Sequence, residues 1–493
     1  MRLAAAVLAC ALFAGPVVAH PGHPHGEEEA AAPAATVGQV SFENSGAAGA
    51  QAPFLRGLAL LHNFEYDRAI AAFREAQAAD PGFAMAYWGE AMAYTHPVWF
   101  EQDAAAARAA LARLAPTPAE RAAKAPTERE KAYLAAVEIL YGEGGKEARD
   151  FAFSEAMGRL HARWPDDVDA RAFYALSILG LAHNGRDVSL YMRAAGLLEE
   201  VYPQNTAHPG VLHYLIHSYD DPDHAPLGVR AARLYADVAP DAGHALHMTS
   251  HIFLALGQWE DTVRVNTRAM ATVNAQRAAG GMGPTACGHY AEWLVYAELQ
   301  RGRVAEADAT INACAAEARA ELARGGREQR RSAVRSWVDM ALRRVIETGA
   351  WPSERVEVPA TRYPQSHLAV AYAGVLTARD AAGAARAREA LEDAIAGAGN
   401  AGAGRLEVLM EQASGLEAIR GGDVEAGLAE LKSAAEAEVK LPVEFGPPAI
   451  EKPGWELYAD ELKRAGQAEE ARTAYREALK HAPGRRISTE GLR

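Results

Sequence analysis

The sequence predicts an all-α chain built as a solenoid of antiparallel helix pairs. Length is the first reason. At 493 residues the chain outgrows one ordinary globular core, since domains usually run about 100–200 residues. A repeat array has no such ceiling, because each unit packs only on its neighbours. Composition is the second reason: alanine and leucine are abundant, charged residues make up 23% and aromatics 8%, a mix that suits helices. The third is a spacing of small and aromatic residues that recurs with a period of 34.

The last unit shows the spacing most clearly. Trp455, Ala459, Leu462, Gly466, Ala471, Tyr475, Ala478 and Pro483 fall at offsets 4, 8, 11, 15, 20, 24, 27 and 32. Small residues at 8, 20 and 27 let two antiparallel helices approach closely, and aromatics fill the gaps. Gly466 ends the first helix and Pro483 stops the second. Near the other end Tyr66, Ala69, Phe73, Ala76 and Pro81 occupy offsets 17, 20, 24, 27 and 32. These positions resemble the tetratricopeptide (TPR) pattern. The resemblance covers most of residues 50–485 and implies a right-handed superhelix of helix pairs. It further implies a concave groove, lined by the first helix of each unit, that binds a peptide or other ligand; offsets 2, 5, 9, 12 and 13 point into it.

Looser units follow near 84–110, 129–165, 167–203, 209–242, 243–276, 288–318, 367–398 and 405–438. Residues 279–285 form a Gly-rich linker and 441–454 a Pro-rich one. The domain reading is an N-terminal array over 51–318, an irregular and helical connector over 319–366, and a C-terminal array over 367–493. Before them, 20–50 is rich in Ala, Gly, Pro and Glu without periodicity and reads as a disordered arm.

Residues 1–19 read as a signal peptide. Arg2 supplies positive charge, an apolar run follows from Leu3 to Gly15, and Pro16-Val17-Val18-Ala19 ends in small residues suited to cleavage after Ala19. No later segment reads as transmembrane, so the expectation is an exported, periplasmic protein. The mature chain keeps Cys287 and Cys314, placed at neighbouring helix ends, and both a disulfide and two buried thiols stay open. The formal net charge of −14 argues against a nucleic-acid partner. An Arg-rich stretch around Arg324, Arg327, Arg330, Arg331, Arg335, Arg343 and Arg344 reads as a solvated helix face, with an anion site as the alternative.

The residues that carry chemistry are histidines. His213 and His217 are i and i+4, while His244, His247 and His251 are i, i+3 and i+7, so each set shares one helix face. His213 to His247 and His217 to His251 are both separated by 34 residues, one repeat length. With Gly257 at offset 15 all five point into the groove from two neighbouring helices, whose spacing of about 10 Å lets imidazoles converge on one ion. With Gly302 at offset 15, His289 and Glu292 continue the pattern. His208, Asp220, Asp221, His183, His62 and His96 are further groove ligands or supporting groups. Imidazole with carboxylate suits zinc, copper, nickel or iron, and Asp220 or Asp221 could accept the second ring N–H of a ligand histidine. The mature N-terminus adds His20, His23 and His25 as a second, looser metal candidate.

A duplicated structural histidine pair and a polar groove for an acidic peptide are the alternatives to a metal. The sequence contains no G-x-S-x-G, HExxH, P-loop or Rossmann fingerprint. Residues 208–222 and 240–244, with Phe445-Gly446-Pro447-Pro448 and Pro483-Gly484-Arg485-Arg486, resemble a group of exported bacterial TPR proteins, which implies no defined activity. Three functions therefore stand open: a scaffold with zinc or copper in its groove, a metal-dependent hydrolase or oxidase using the same histidines, and a metal-free module that binds a protein or peptide. Three protein ligands, an open position and a nearby carboxylate would favour the enzyme. Oligomeric state is not legible.

Overall fold

The computed structural model describes residues 36–398 and 402–493. The signal segment and His20, His23 and His25 lie outside the described residues. Within them the chain is all-α, a TPR-type solenoid of antiparallel helix pairs.

The pairs are α1 (Ala48–His62) with α2 (Tyr66–Ala79), and α3 (Ala84–Met92) with α4 (Ala104–Leu114). A short α5 (Pro118–Lys124) precedes α6 (Glu128–Leu140) and α7 (Lys146–Arg163). Then come α8 (Val168–Leu179) with α9 (Val188–Glu199), α10 (Pro209–Ser218) with α11 (Ala225–Val238), and α12 (Gly243–Ala255) with α13 (Trp259–Ala279). The seventh pair is α14 (His289–Gln300) and α15 (Val304–Ala323), followed by a single helix α16 (Ala333–Thr348). The C-terminal pairs are α17 (Pro364–Thr377) with α18 (Ala381–Ala398), α19 (Ala403–Gly421) with α20 (Val424–Glu438), and α21 (Gly454–Arg464) with α22 (Ala468–His481). The short α23 (Arg486–Gly491) closes the chain.

The 34-residue spacing does what its residue types predict. In the last pair Ala459, Leu462, Ala471, Tyr475 and Ala478 are all buried between the two helices. Gly466 turns the chain at φ 81°, a conformation that costs glycine little and other residues more. Cys287 and Cys314 form a disulfide that ties the start of α14 to α15.

Residues 36–47 differ from the expected disordered arm. They run extended and are pinned: Gln39 N–H donates to the Ala207 carbonyl (2.9 Å), and the Asn63 amide donates to the Val37 carbonyl (2.8 Å). Phe42 is buried among Phe54, Trp88 and Tyr133, with the Arg129 guanidinium 4.1 Å above its ring. Composition hid this, because the segment is held by one buried aromatic side chain and a few hydrogen bonds to distant units.

The superhelix is tightly curled. Helix α1 touches α10 of the fifth pair, and every residue of α3, α10 and α12 is buried. The expected open groove is therefore a filled interior in this half. The C-terminal part closes it further. Residues 439–453 cross the concave side as a strap, with Pro442 beside Gly185 and Phe445 beside Tyr191 and His217. Gly446 lies so close to Trp293 that an added Cβ would stand 2.2 Å from the indole. The Pro483-Gly484-Arg485-Arg486 segment is the clasp. Buried Arg485 pairs with Glu456 (2.8 Å) and Glu347 (3.0 Å) and donates to the Tyr296 hydroxyl, while the Trp259 indole donates to the Gly484 carbonyl. No described helix is long and apolar enough to cross a membrane.

Candidate metal centre

Helices α10, α12 and α14 bring six histidines together. The ligand nitrogens of His213, His217 and His244 lie within 4.8 Å of one another, as do those of His247, His251 and His289. All five histidines read from the repeat register thus fall in these two adjoining groups. His289 joins them as a full member; its offset of 2 was the available signal. The rings touch across the two groups: His217 and His251 centroids are 6.1 Å apart, and His244 and His247 6.2 Å. Phe64 packs on His213, His217 and His244, Trp99 on His244, and Trp293 on His247 and His251. Phe64 does so from the left-handed region (φ 55°), a strained backbone of the sort that concentrates at functional sites.

Hydrogen bonds fix which nitrogen carries each proton. The Asn266 amide nitrogen donates to the Thr262 carbonyl, so its oxygen faces His247, and His247 Nδ1–H donates to it (2.7 Å). His251 Nδ1–H donates to the Asp220 carboxylate (2.5 Å), and His213 Nδ1–H to the His62 carbonyl (2.6 Å). A neutral imidazole has one donor, so Nε2 of each ring is a bare lone pair. The Nε2 atoms of His247 and His251 nevertheless face each other at 3.2 Å. Two lone pairs repel at that distance unless a proton or a metal ion lies between them. Nitrogens sharing one tetrahedral ion at about 2.0–2.1 Å would stand about 3.3–3.4 Å apart. In the other group His213 Nε2, His244 Nε2 and both His217 nitrogens are buried without a hydrogen-bond partner. Each such orphan costs about 1–3 kcal/mol, a cost that a ligand removes.

Burial disfavours the charged form of five of these rings and so leaves them able to donate to an ion. It pushes His213 and His289 down to about 3, and holds His217, His244 and His247 well below the ordinary imidazole value, with the neighbouring histidines adding to the effect. His289 itself is exposed to solvent, yet protein surrounds it at longer range. The donor set fits a late transition ion: six imidazoles, acceptors behind three of them, and no free thiolate, since Cys287 is in the disulfide.

The remaining expected groups separate. Asp220 lies behind His251, as anticipated. Asp221 instead caps its own turn, accepting from the Asp223 and His224 amides and pairing with Arg186. His62 and His208 form a different buried cluster around Asp169. His62 Nε2–H donates to Asp169 (2.9 Å) and its Nδ1 accepts from the Tyr214 hydroxyl (3.0 Å); His208 Nε2–H donates to Asp169 (3.2 Å) and its Nδ1 accepts from the Val211 amide. No nitrogen is left over. His183 pairs with Asp150, away from the six. His96 stacks on Tyr66 beside Trp99, separated from the cluster by that indole. Glu292 sits one helical turn after His289, half-buried; burial raises its carboxyl, opposed by Ser336 and the Arg335 and Arg343 charges. Asp339 faces it and is pushed up to about 7 by burial and then by Glu292. The acceptors Asn266 and the His62 carbonyl had no sequence signal, because neither residue type nor spacing marks a backbone oxygen in another unit.

No protein-family model and no curated protein matches the chain. Among solved structures it is similar to the Cut9–Hcn1 hetero-tetramer of the APC/C, at 11% identity over 92% of this chain and 77% of that one, with a TM-score of 0.36. It is similar to yeast Tom70 at 10% identity, covering 90% and 94%, TM-score 0.32. Naa15/Naa10 bound to HypK-THB gives 13% identity, 90% and 60%, TM-score 0.25. Likeness at this level carries nothing about ligand, partner or activity, and the description of the fold rests on the helix pairs themselves.

Proposed function

We propose that this chain is an exported TPR-type scaffold that holds a transition metal, zinc or copper, on its concave face. The observation that carries the reading is the pair of bare Nε2 atoms of His247 and His251 at 3.2 Å, each fixed by an acceptor on the other side of its ring. Export is supported by the apolar leader and by the Cys287–Cys314 disulfide, since such bonds persist in oxidising compartments. A peptide lying over the histidines, as a metal-free module would hold it, meets the strap, whose Phe445 occupies the place beside His217. The test is metal analysis by mass spectrometry on untagged protein beside a His213→Ala/His247→Ala variant. Metal bound by the wild type and lost in the variant supports the reading. No uptake by the wild type after reconstitution with zinc and copper overturns it.

One observation favours a catalytic version. Each group offers three protein nitrogens, not four, and Glu292 stands one turn from His289 with its carboxyl raised by burial. A carboxyl beside a metal site is the kind of group that serves as a general acid or base. In this reading the protein is a metal-dependent hydrolase or oxidase, and Glu292→Gln keeps the metal content while abolishing turnover of ester or phenol substrates. Turnover unchanged in that variant removes Glu292 from the chemistry.

A further inference from the structure

The six histidines do not form one set but two. His213, His217 and His244 converge from α10 and α12; His247, His251 and His289 converge from α12 and α14. Helix α12 serves both because its three histidines span two turns, about 10 Å along the axis at 1.5 Å per residue. His244 therefore faces back towards α10 and His251 lies two turns on, so one ion cannot draw on all six. We propose that the groove holds two transition-metal ions side by side, each on three imidazoles, with a small anion bridging them. This rests on the metal reading above and extends it.

The bridging anion follows from charge. Two divalent ions on six neutral imidazoles bring four positive charges into a buried space. Among the residues described around the six rings, Asp220 behind His251, Glu65, which accepts from the His244 backbone amide, and Glu292, one turn from His289, are carboxylates, while Arg186 near His217 and Arg330 and Arg331 near His289 are cations, so the side chains do not balance the ions. Unbalanced buried charge is costly, so the remaining neutralisation comes from ligands that enter with the metal. Three protein nitrogens leave each ion an open position, and the groups abut, with cross-group ring centroids at 6.1 and 6.2 Å. Two-metal sites hold their ions about 3.5–4 Å apart, a gap that hydroxide or another small anion spans. Phe64, Trp99, Trp293 and Phe445 pack directly against the histidines, so an anion between the ions must be small. His289, the exposed member, marks the side from which ion and anion enter.

The experiment is copper and zinc stoichiometry on reconstituted full-length protein, beside His213→Gln/His217→Gln and His251→Gln/His289→Gln, with folding checked by circular dichroism. The expected result is about two equivalents in the wild type and about one in each variant, since each variant empties one set. One equivalent in the wild type, lost in both variants, overturns the two-ion centre and leaves the single-ion reading intact. No metal in any sample overturns both. Copper(II) electron paramagnetic resonance needs no variant: a coupled pair gives far less signal than the copper present, and added azide perturbs it. Signal equal to total copper, unchanged by azide, overturns the bridged pair.

Discussion

Two buried histidine clusters lie in the same half of this molecule, and only one is poised for a ligand. Around Asp169, His62 and His208 satisfy every ring nitrogen with a carboxylate, a hydroxyl or an amide. In the groove, Asn266, Asp220 and the His62 carbonyl take one proton from each of three rings, and the opposite nitrogens are left bare and facing inward. Residue type is alike in the two places, and all the rings but His289 are buried. What differs is whether the hydrogen-bond inventory closes. The closed cluster acts as a structural rivet between α1, α8 and α10; the unclosed one leaves ring nitrogens free to accept.

Breaking the rivet should have the largest effect. Asp169→Ala leaves His62 and His208 buried without their shared acceptor, and loss of a buried charged partner typically costs about 3–5 kcal/mol. Urea unfolding should show that loss while metal content stays unchanged. A variant that loses metal but not stability would reverse the roles assigned to the two clusters.

Acid should act in the same direction. Burial, opposed by Asp169, pushes His62 down to about 4 from 6.5, and hydrogen bonds from His208 and His62 outweigh burial to hold the Asp169 carboxyl below its ordinary range. Between about pH 6.5 and 4 the unfolded chain takes up a proton at position 62 that the folded chain refuses, so stability falls as pH falls. For His62 alone the loss is on the order of 3 kcal/mol. Thermal melts of metal-free protein from pH 7 to 4 measure it; a melting temperature flat across that range removes the buried neutral imidazole from the account.

Removing an acceptor behind the metal candidates should be milder and should read out differently. Asp220→Asn keeps size but weakens the hold on His251 Nδ1–H, and loss of such an outer partner typically costs 10–100-fold in metal affinity. Competition with a chelator measures this, and the metal-free protein should melt near the wild-type temperature. Equal affinity in Asp220→Asn would show that His251 is not a ligand.

The smallest equilibrium effect belongs to the strap. Phe445→Ala uncovers one side of His217, so metal should exchange faster with little change in affinity. An unchanged exchange rate in stopped-flow chelation would show that removing this ring opens no second path beside the one on the His289 side.

Much of this was legible because repeats write their geometry into spacing. Small residues at fixed offsets marked the helix pairs, and the 34-residue shift from His213 to His247 and from His217 to His251 placed those side chains at equivalent points of neighbouring helices. Less legible was anything that depends on how far the superhelix curls. His62 and His208 look like groove ligands by offset, but curling brings Asp169, 107 residues from His62, between them and consumes their nitrogens. Phe42 and Phe445 sit in segments without periodicity, yet each is held by aromatic or imidazole rings from distant units.

The sequence by itself determined the repeat, its period, and the register that puts five histidines on one face, because helical periodicity is a local rule that needs no knowledge of distant residues. The tertiary structure alone decided the ring tautomers, the division into two threes and the sealing of the groove by the C-terminal clasp. Those depend on acceptors and walls contributed by units far apart in sequence, and such contacts are set by the pitch of the whole superhelix, which no single repeat encodes.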